Sequence, residues 1–436
     1  MSGWPSAPLS PRFRASPYWW AGTGPDEPGG EPPGELPTEV DVAVVGAGYT
    51  GLGAALELAA RGRSVVVMDR DAIGSGASSR NGGMVQLGGK HSLRHYLARP
   101  GGRALWDVTA DAFDGLEELI DERGIDCGWT RSGHLELAHH PRLVPGLRAE
   151  AAAWRGIGET AEFIDGDELA AEIGTGVYHG ALRVARSAAV HPARLVAGLA
   201  AAARAGGARL AAATDVGRVS RQGAGFVVHT SRGAVRAGEV LVATNGYTGD
   251  LVPWLERRIL PIGSFLIATE ALPAGLAAAV SPRGRMFFDT RNFLCYWRLS
   301  PDGTRVLFGG RTSFAPTTVE RARDALYAAM VRVHPQLVGV ALDHAWGGNV
   351  ALTVDRLPHL GRDPRSGLVY AMGYCGTGVA LAVHFGRLTG RWLAGDGALP
   401  AAYARLSWPP VPAPARVERL LPVAGWWYQG RDRLAR

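Results

Sequence analysis

Lysine is nearly missing from this chain. Lys90 is the one lysine among 46 basic residues; the others are arginine. The net charge of +6 is spread along 436 residues. With no basic run and no aromatic residues interleaved with one, nucleic acid is not an expected partner. Cysteine is also scarce. Cys127, Cys295 and Cys375 stand far apart with no CxxC spacing, which argues against a disulfide framework or a zinc site and fits a reducing cytoplasm. No metal site is expected. No apolar stretch reaches the roughly 20 residues of a membrane-spanning helix, since Arg204 and Arg209 interrupt the Ala-rich run near residue 200. The N-terminus lacks the charged-then-apolar order of a secretion signal. What remains is an ordinary globular composition, 47% hydrophobic and 20% charged, with material for two or three domains.

Residues 1–37 are rich in Pro and Gly and carry Tyr18, Trp19 and Trp20, so they read as an irregular arm docked by its rings. Strands are expected at 40–45, 64–69, 208–213, 225–230, 234–237 and 239–243, and helices at 49–61, 103–123 and 193–205. Residues 74–89 should be loop. A separate antiparallel sheet is expected from 259–269, 285–299 and 304–309, followed by a helix over 318–333. Residues 368–372 form a strand, then a glycine turn, then a helix to about 394, and a Pro-rich tail from 409 ends in Trp426, Trp427 and Tyr428.

The most informative segment runs from Asp41 to Asp69. A buried strand ends at Gly46, and Gly46, Gly48 and Gly51 form GxGxxG at the mouth of a helix. Gly46 makes the tight turn, Gly48 lets the backbone approach a pyrophosphate, and Gly51 lets the helix pack on the sheet. The helix N-terminus favours an anion. Asp69 closes the second strand, where its carboxylate can accept from a ribose hydroxyl. Strand, turn, helix, strand and acid in that order indicate a dinucleotide site. The flanking residues select FAD over NAD. A second glycine loop, Gly74 to Gly83, follows directly and can run from the pyrophosphate to a flavin ring. A late turn, Gly373 to Gly378, opens another helix whose N-terminus would stabilise a reduced flavin.

These pieces, in this order, resemble the D-amino-acid-oxidase-like flavoproteins, within them the gamma-glutamylputrescine oxidase and glycine/sarcosine oxidase branch. They are SPYWW, GAGYTGLGAALELAARGRSVVVMDR, GSGASSRNGGMV, AVHPARLVAGLAAAA, VLVATNGYTGDL, LPIGSFLIATEAL, CYWRLSPDGTRVLFGG, WGGNVALTVDRLPHLGR and MGYCGTGVALAVHFGRLTGRWLAG. The resemblance implies an α/β fold. A Rossmann-like FAD-binding domain would fall at 38–90, 186–250 and 341–408, and a mostly antiparallel substrate domain at 91–185 and 251–340. Non-covalent FAD would be held by Gly46, Gly48, Tyr49, Thr50, Gly51, Asp69 and Arg70, and by Gly76, Ala77, Ser78, Arg80, Asn81, Gly82, Gly83 and Met84 of the second loop. Val216, Thr244, Asn245 and Gly246 would join them, with Gly373, Cys375, Gly376, Thr377, Gly378 and Val379 of the late turn. A covalent link would need a cysteine near Gly348 or a histidine near Arg80 or Asn81, and neither is there.

The implied reaction oxidises the C–N bond of an amine or amino acid to an imine, by hydride transfer to flavin N5. Oxygen then reoxidises the flavin and gives hydrogen peroxide. Such chemistry rests on positioning more than on a strong base, and no catalytic triad is evident. Tyr296 and Arg298 share one strand face and either grip the substrate or pack; Trp346 is placed the same way. Related sarcosine oxidases carry a lysine on a substrate-domain strand to speed oxygen reduction, but the matching stretch here, Val306 to Gly309, has none. Lys90 is the remaining candidate, against a plain surface lysine. His191 should shape the start of a helix, and His384 should be core. Three alternatives stay open: a dehydrogenase with another electron acceptor, a non-catalytic FAD-binding subunit, and a flavin hydroxylase. Substrate identity and monomer versus homodimer are not decided by the sequence.

Overall fold

The computed structural model describes residues 6–21, 34–311 and 316–412, so Trp426, Trp427 and Tyr428 lie outside the described residues. The chain begins with β1 (Leu9–Arg14), then β2 (Glu39–Val45), α1 (Tyr49–Ala60), β3 (Val65–Met68), α2 (Ala77–Arg80) and β4 (Met84–Gln86). Next come α3 (Leu93–Leu97), α4 (Gly102–Arg123), β5 (His134–Leu137), α5 (Val144–Gly156), β6 (Ala161–Ile164), α6 (Gly166–Ile173) and β7 (Ala181–Val184). They lead into β8 (Ser187–Ala189), α7 (Pro192–Ala205), β9 (Arg209–Ala211), β10 (Val216–Gln222), β11 (Gly225–Thr230) and β12 (Gly233–Val242). After α8 (Pro253–Glu256) come β13 (Leu260–Thr269), α9 (Ala274–Val280), β14 (Met286–Asp289), β15 (Cys295–Leu299), β16 (Val306–Gly310), α10 (Val319–Val333) and β17 (Leu342–Leu352). β18 (His359–Arg362), β19 (Val369–Met372), α11 (Gly378–Leu393) and α12 (Ala401–Ala404) complete the described chain.

Val42 to Val45 are almost fully buried because β2 is covered on both faces, as its unbroken apolar run requires. It lies between β3 and β12 in a sheet whose strands β9, β3, β2, β12 and β19 are parallel. β10 and β11 add an antiparallel meander to it. Helices α1 and α11 pack closely over this sheet. A Cβ on Gly53 would lie 2.7 Å from the Val383 carbonyl oxygen, and one on Gly386 would lie 2.2 Å from that of Thr50. Glycine at these contacts lets the two helix backbones touch, and the parallel strands β2 and β19 that precede them bring both N-termini to the same end of the sheet.

The second sheet has nine strands, in the order β1-β17-β13-β16-β15-β14-β5-β7-β6. It is antiparallel except at β1–β17 and β14–β5. The fold is therefore α/β, with a Rossmann-like sheet and a mostly antiparallel partner sheet. Among the described residues no helix is long and apolar enough to cross a membrane.

Several local expectations need correction. The arm is not wholly irregular, since β1 pairs with β17. Residues 74–89 contain α2 and β4 rather than loop alone, because Ser79 and Asn81 bond back onto Gly74, Ala77 and Ser78 and close a helical turn. The expected strands at 234–237 and 239–243 are one strand, β12. The stretch 285–299 is two strands, hinged where Asp289 accepts from the backbone of Arg291 and Cys295. β17 joins the antiparallel sheet, not the FAD-side segment 341–408, because its residues pair along β13 from Leu342 to Leu352.

Candidate active site

A cleft of about 1670 Å³ runs between the two sheets. That exceeds the roughly 300–1,000 Å³ of a pocket for one small ligand. One end is built by the first glycine turn. Gly46 has φ +102°, a conformation open to glycine, and a Cβ there would meet the Ala243 carbonyl oxygen at 2.9 Å. A Cβ on Gly51 would lie 2.0 Å from the Gly46 oxygen, so only glycine lets α1 start this close to the turn. Asp69 accepts from Ala47 N at 2.8 Å and Asp71 N at 3.1 Å. Burial pushes its carboxyl up, and the two backbone donors oppose that. Arg70, Val216 and Thr244 line the same end. Neither Gly48 nor Thr377 caps its helix with a side chain, so apart from Tyr49 N, which donates to Ser78 Oγ, the first-turn N–H groups of α1 and α11 lack such a partner.

The second loop is clamped by three indoles on three consecutive residues. Trp20 Nε1 donates to Ser79 Oγ at 3.0 Å, Trp346 Nε1 to Arg80 O at 2.9 Å and Trp19 Nε1 to Asn81 O at 2.7 Å. Trp19 is fully buried, so the arm is docked as its rings indicated. Ser78 Oγ accepts from Tyr49 N at 2.9 Å, which ties the second loop to the first. Arg80 reaches Ser75 O and Gly347 O and lies 4.6 Å from the centre of the Trp20 ring. Gly76, Ala77, Asn81, Gly82 and Met84 line the cleft; Gly83 lies behind them.

The floor is one row of residues in register across the antiparallel sheet. It starts at Trp346 and passes through Leu266 and Gly309 to Tyr296. It continues through Phe288 and Glu136 to Leu182. Cross-strand partners share a face, and every member except Gly309 lines the cleft. Gly309 is what makes room: a Cβ there would sit 2.3 Å from the Tyr296 ring, and one on Gly82 of the second loop would sit 3.0 Å from it. The Tyr296 ring is thus held between the floor and the second loop. Burial raises its phenol to about 12, with Ser264 opposing, so it stays neutral.

Charge is distributed unevenly along the cleft. Lys90 opens onto it, and protein on its other sides lowers its pKa, helped by Arg311 and Arg356. Cys375 lies in the glycine turn before α11. Burial pushes its thiol up, and its Sγ donates to Gly373 O at 3.2 Å. Asn245 has φ +47° and accepts from Gly373 N at 2.9 Å, which joins the Thr244–Gly246 turn to the late glycine turn. Gly376, Thr377, Gly378 and Val379 line the cleft.

The comparisons with known proteins agree with this layout. Residues 41–392 match the family described as "DAO: FAD dependent oxidoreductase". The chain is 33% identical to "Probable oxidoreductase OrdL" of Rhizobium meliloti (strain 1021), over 98% of this chain and 99% of that one. It is 34% identical to "Gamma-glutamylputrescine oxidoreductase" of Escherichia coli (strain K12), over 90% of this chain and 93% of that one. The chain belongs to the DAO family of FAD-dependent oxidoreductases. In fold it resembles the crystal structure of glycine oxidase from Geobacillus kaustophilus, with a TM-score of 0.72 and 24% identity, over 85% of this chain and 99% of that one.

FAD fits the lining of this enzyme. Two uncapped helix N-termini, the Asp69 carboxylate and the glycine cradle of the first turn suit the anionic and ribose parts. The second loop continues from them to Tyr296 and the Cys375 turn, where the ring system would be held.

Of the expected site residues, Gly51, Gly83, Gly246 and Gly373 sit behind the cleft lining, and Arg298 is misplaced. Arg298 shares its strand face with Tyr296, but it does not reach the cleft. Nη1 donates to Gly83 O at 2.7 Å and Val190 O at 3.0 Å, and the side chain is buried. It braces the second loop from behind. His191 caps α7 by accepting from Arg194 N at 3.3 Å, and burial lowers it to about 4. His384 is likewise lowered to about 4. Sequence reasoning missed Glu136, Phe288, Arg291, Arg311 and Arg356, all of which line the cleft. Arg291 is engaged by Asp289 and Tyr178. A signal for Glu136 existed: in His-Leu-Glu-Leu, His134 and Glu136 are polar residues repeating on one face of a strand.

Proposed function

We propose that this FAD enzyme oxidises the C–N bond of an amine or amino acid to an imine and passes the electrons to molecular oxygen, giving hydrogen peroxide. The observation that carries the reading is the neutral floor of Leu266, Tyr296 and Phe288 beside the second loop. This stretch of the floor, which stops one strand short of Glu136, carries no charge and favours the free-base amine over the ammonium ion, and a free lone pair is what C–N oxidation needs. Bound FAD supplies the acceptor for the hydride. Tyr296, fixed between Gly82 and Gly309, would orient the substrate carbon, and Trp346 would hold the loop above it. The E. coli relative named for gamma-glutamylputrescine supports the substrate class.

Lys90 supports oxygen as acceptor, because a cation facing the cleft favours electron transfer to a species that becomes an anion. A second reading has an observation of its own: β16 offers Val306, Leu307, Phe308 and Gly309 and no lysine. On that reading another acceptor replaces oxygen. Turnover in air separates the two. The oxidase reading expects one peroxide formed and one oxygen consumed per amine. Reduced enzyme that persists in air, yet is oxidised at once by a quinone or dye, would favour the dehydrogenase.

A further inference from the structure

Beyond Tyr296 the floor row leads into a compartment that the reaction itself does not need. Phe288 is one strand further on and Glu136 two, which places Glu136 about 10 Å from Tyr296 at ordinary strand spacing. Glu136 forms no hydrogen bond or ion pair with any described residue, although it sits in the wall of the cleft. Its neighbour Glu150 is fully engaged, accepting from Leu93 N at 2.5 Å and Trp154 Nε1 at 3.2 Å. Glu136 is half-buried and opens onto the cleft, so a ligand that displaces the cleft water leaves its carboxyl in need of a partner. The surrounding walls suit a cation. Trp106 and Trp154 meet edge to face at 4.9 Å, and Phe288 stacks on His134 at 5.1 Å. Aromatic faces attract ammonium groups, and burial keeps His134 uncharged.

We propose that this compartment binds a second cationic group of the substrate through Glu136, so that the enzyme prefers α,ω-diamines or polyamines to monoamines. The proposal rests on the amine-oxidising reading of the cleft. The charge layout agrees with it. Arg311 and Arg356 gather around Lys90, which feels both Cys375 and Glu136, and Glu150 influences Glu136 in turn. Burial and Glu150 raise the Glu136 carboxyl to about 7, and Lys90 opposes the rise; a bound ammonium would add to that opposition. A diamine would thus lie along the floor, one nitrogen near Tyr296 and the other at Glu136.

The test compares linear alkylamines with α,ω-diamines of matched length on the holoenzyme. Diamines that span the interval should exceed their monoamine partners in kcat/KM by about 10-fold or more, the worth of a hydrogen-bonded charge. In Glu136→Gln this ratio should fall toward one, through a raised diamine KM rather than a lowered kcat. Glu136→Asp should keep part of it. A ratio near one in the wild type, or an unchanged ratio in Glu136→Gln, overturns the proposal. Binding gives an independent readout, through the shift of the flavin spectrum caused by an unreactive bis-quaternary alkane and by its mono-quaternary analogue. If no amine reduces the flavin, the amine-oxidising reading fails. The bis-quaternary preference then decides the subsite alone: present in wild type and lost in Glu136→Gln supports it, equal binding overturns it.

Discussion

Gly51→Ala should purify colourless, whereas Gly146→Ala should purify yellow with FAD. At Gly51 the new Cβ would lie 2.0 Å from a backbone oxygen of the first glycine turn, which has no rotamer to escape through. Helix α1 must then back away from the turn, and the first loop and helix N-terminus lose their common geometry. Steric overpacking of this kind costs about 3 kcal/mol, or about 100-fold in FAD affinity. Gly146 lies in α5 with nothing within 4 Å of a Cβ, so the same change there controls for the substitution itself. Flavin absorbance of the purified proteins, and FAD titration of the apoproteins, read the difference. Equal FAD affinity in the two variants would remove the first turn from the cofactor site.

Lys90→Met should slow reoxidation of the reduced enzyme by air about 100-fold, the scale of losing one well-placed electrostatic stabiliser. Methionine keeps the length and apolar stem and removes only the charge. Anaerobic reduction by substrate should change far less. The pH dependence has a defined sign. Burial lowers the Lys90 pKa, with Arg311 and Arg356 adding to it, so the charged form is lost at lower pH than for a free lysine. Reoxidation should be fast at low pH and fall as pH rises through that depressed value. Lys90→Met should show no such fall, and Lys90→Arg should stay fast to higher pH. Stopped-flow mixing of reduced enzyme with oxygen checks all three. An unchanged rate in Lys90→Met would take the lysine out of oxygen chemistry and return weight to another acceptor.

The adenine end of the site was legible because its information is local. An apolar run, three spaced glycines and a terminal acid lie within one continuous segment, and each has a single steric or electrostatic use. Lys90 stood out by scarcity alone. The substrate end was less legible because it is assembled across the chain. The floor row joins residues from Glu136 to Trp346, and no local pattern announces that Phe288 lies beside Glu136. β5 has only four residues, so the His134–Glu136 repeat on it is a short signal. In β17 the Gly347–Gly348 pair hides the strand. Arg298 shows the limit from the other side. Alternation correctly put it on the Tyr296 face, but two backbone carbonyls further along that face claim its guanidinium. Face is a local property; what fills the face is not.

The central claim is that the cleft floor presents an amine to FAD for C–N oxidation. Anaerobic titration of the holoenzyme with a panel of amines, diamines and amino acids tests it most directly, with the product identified by mass. The expected result is stoichiometric bleaching of the flavin by at least one member, with one imine-derived carbonyl compound released per flavin reduced. A flavin that stays oxidised with every amine, or that bleaches with NADPH instead, would contradict it.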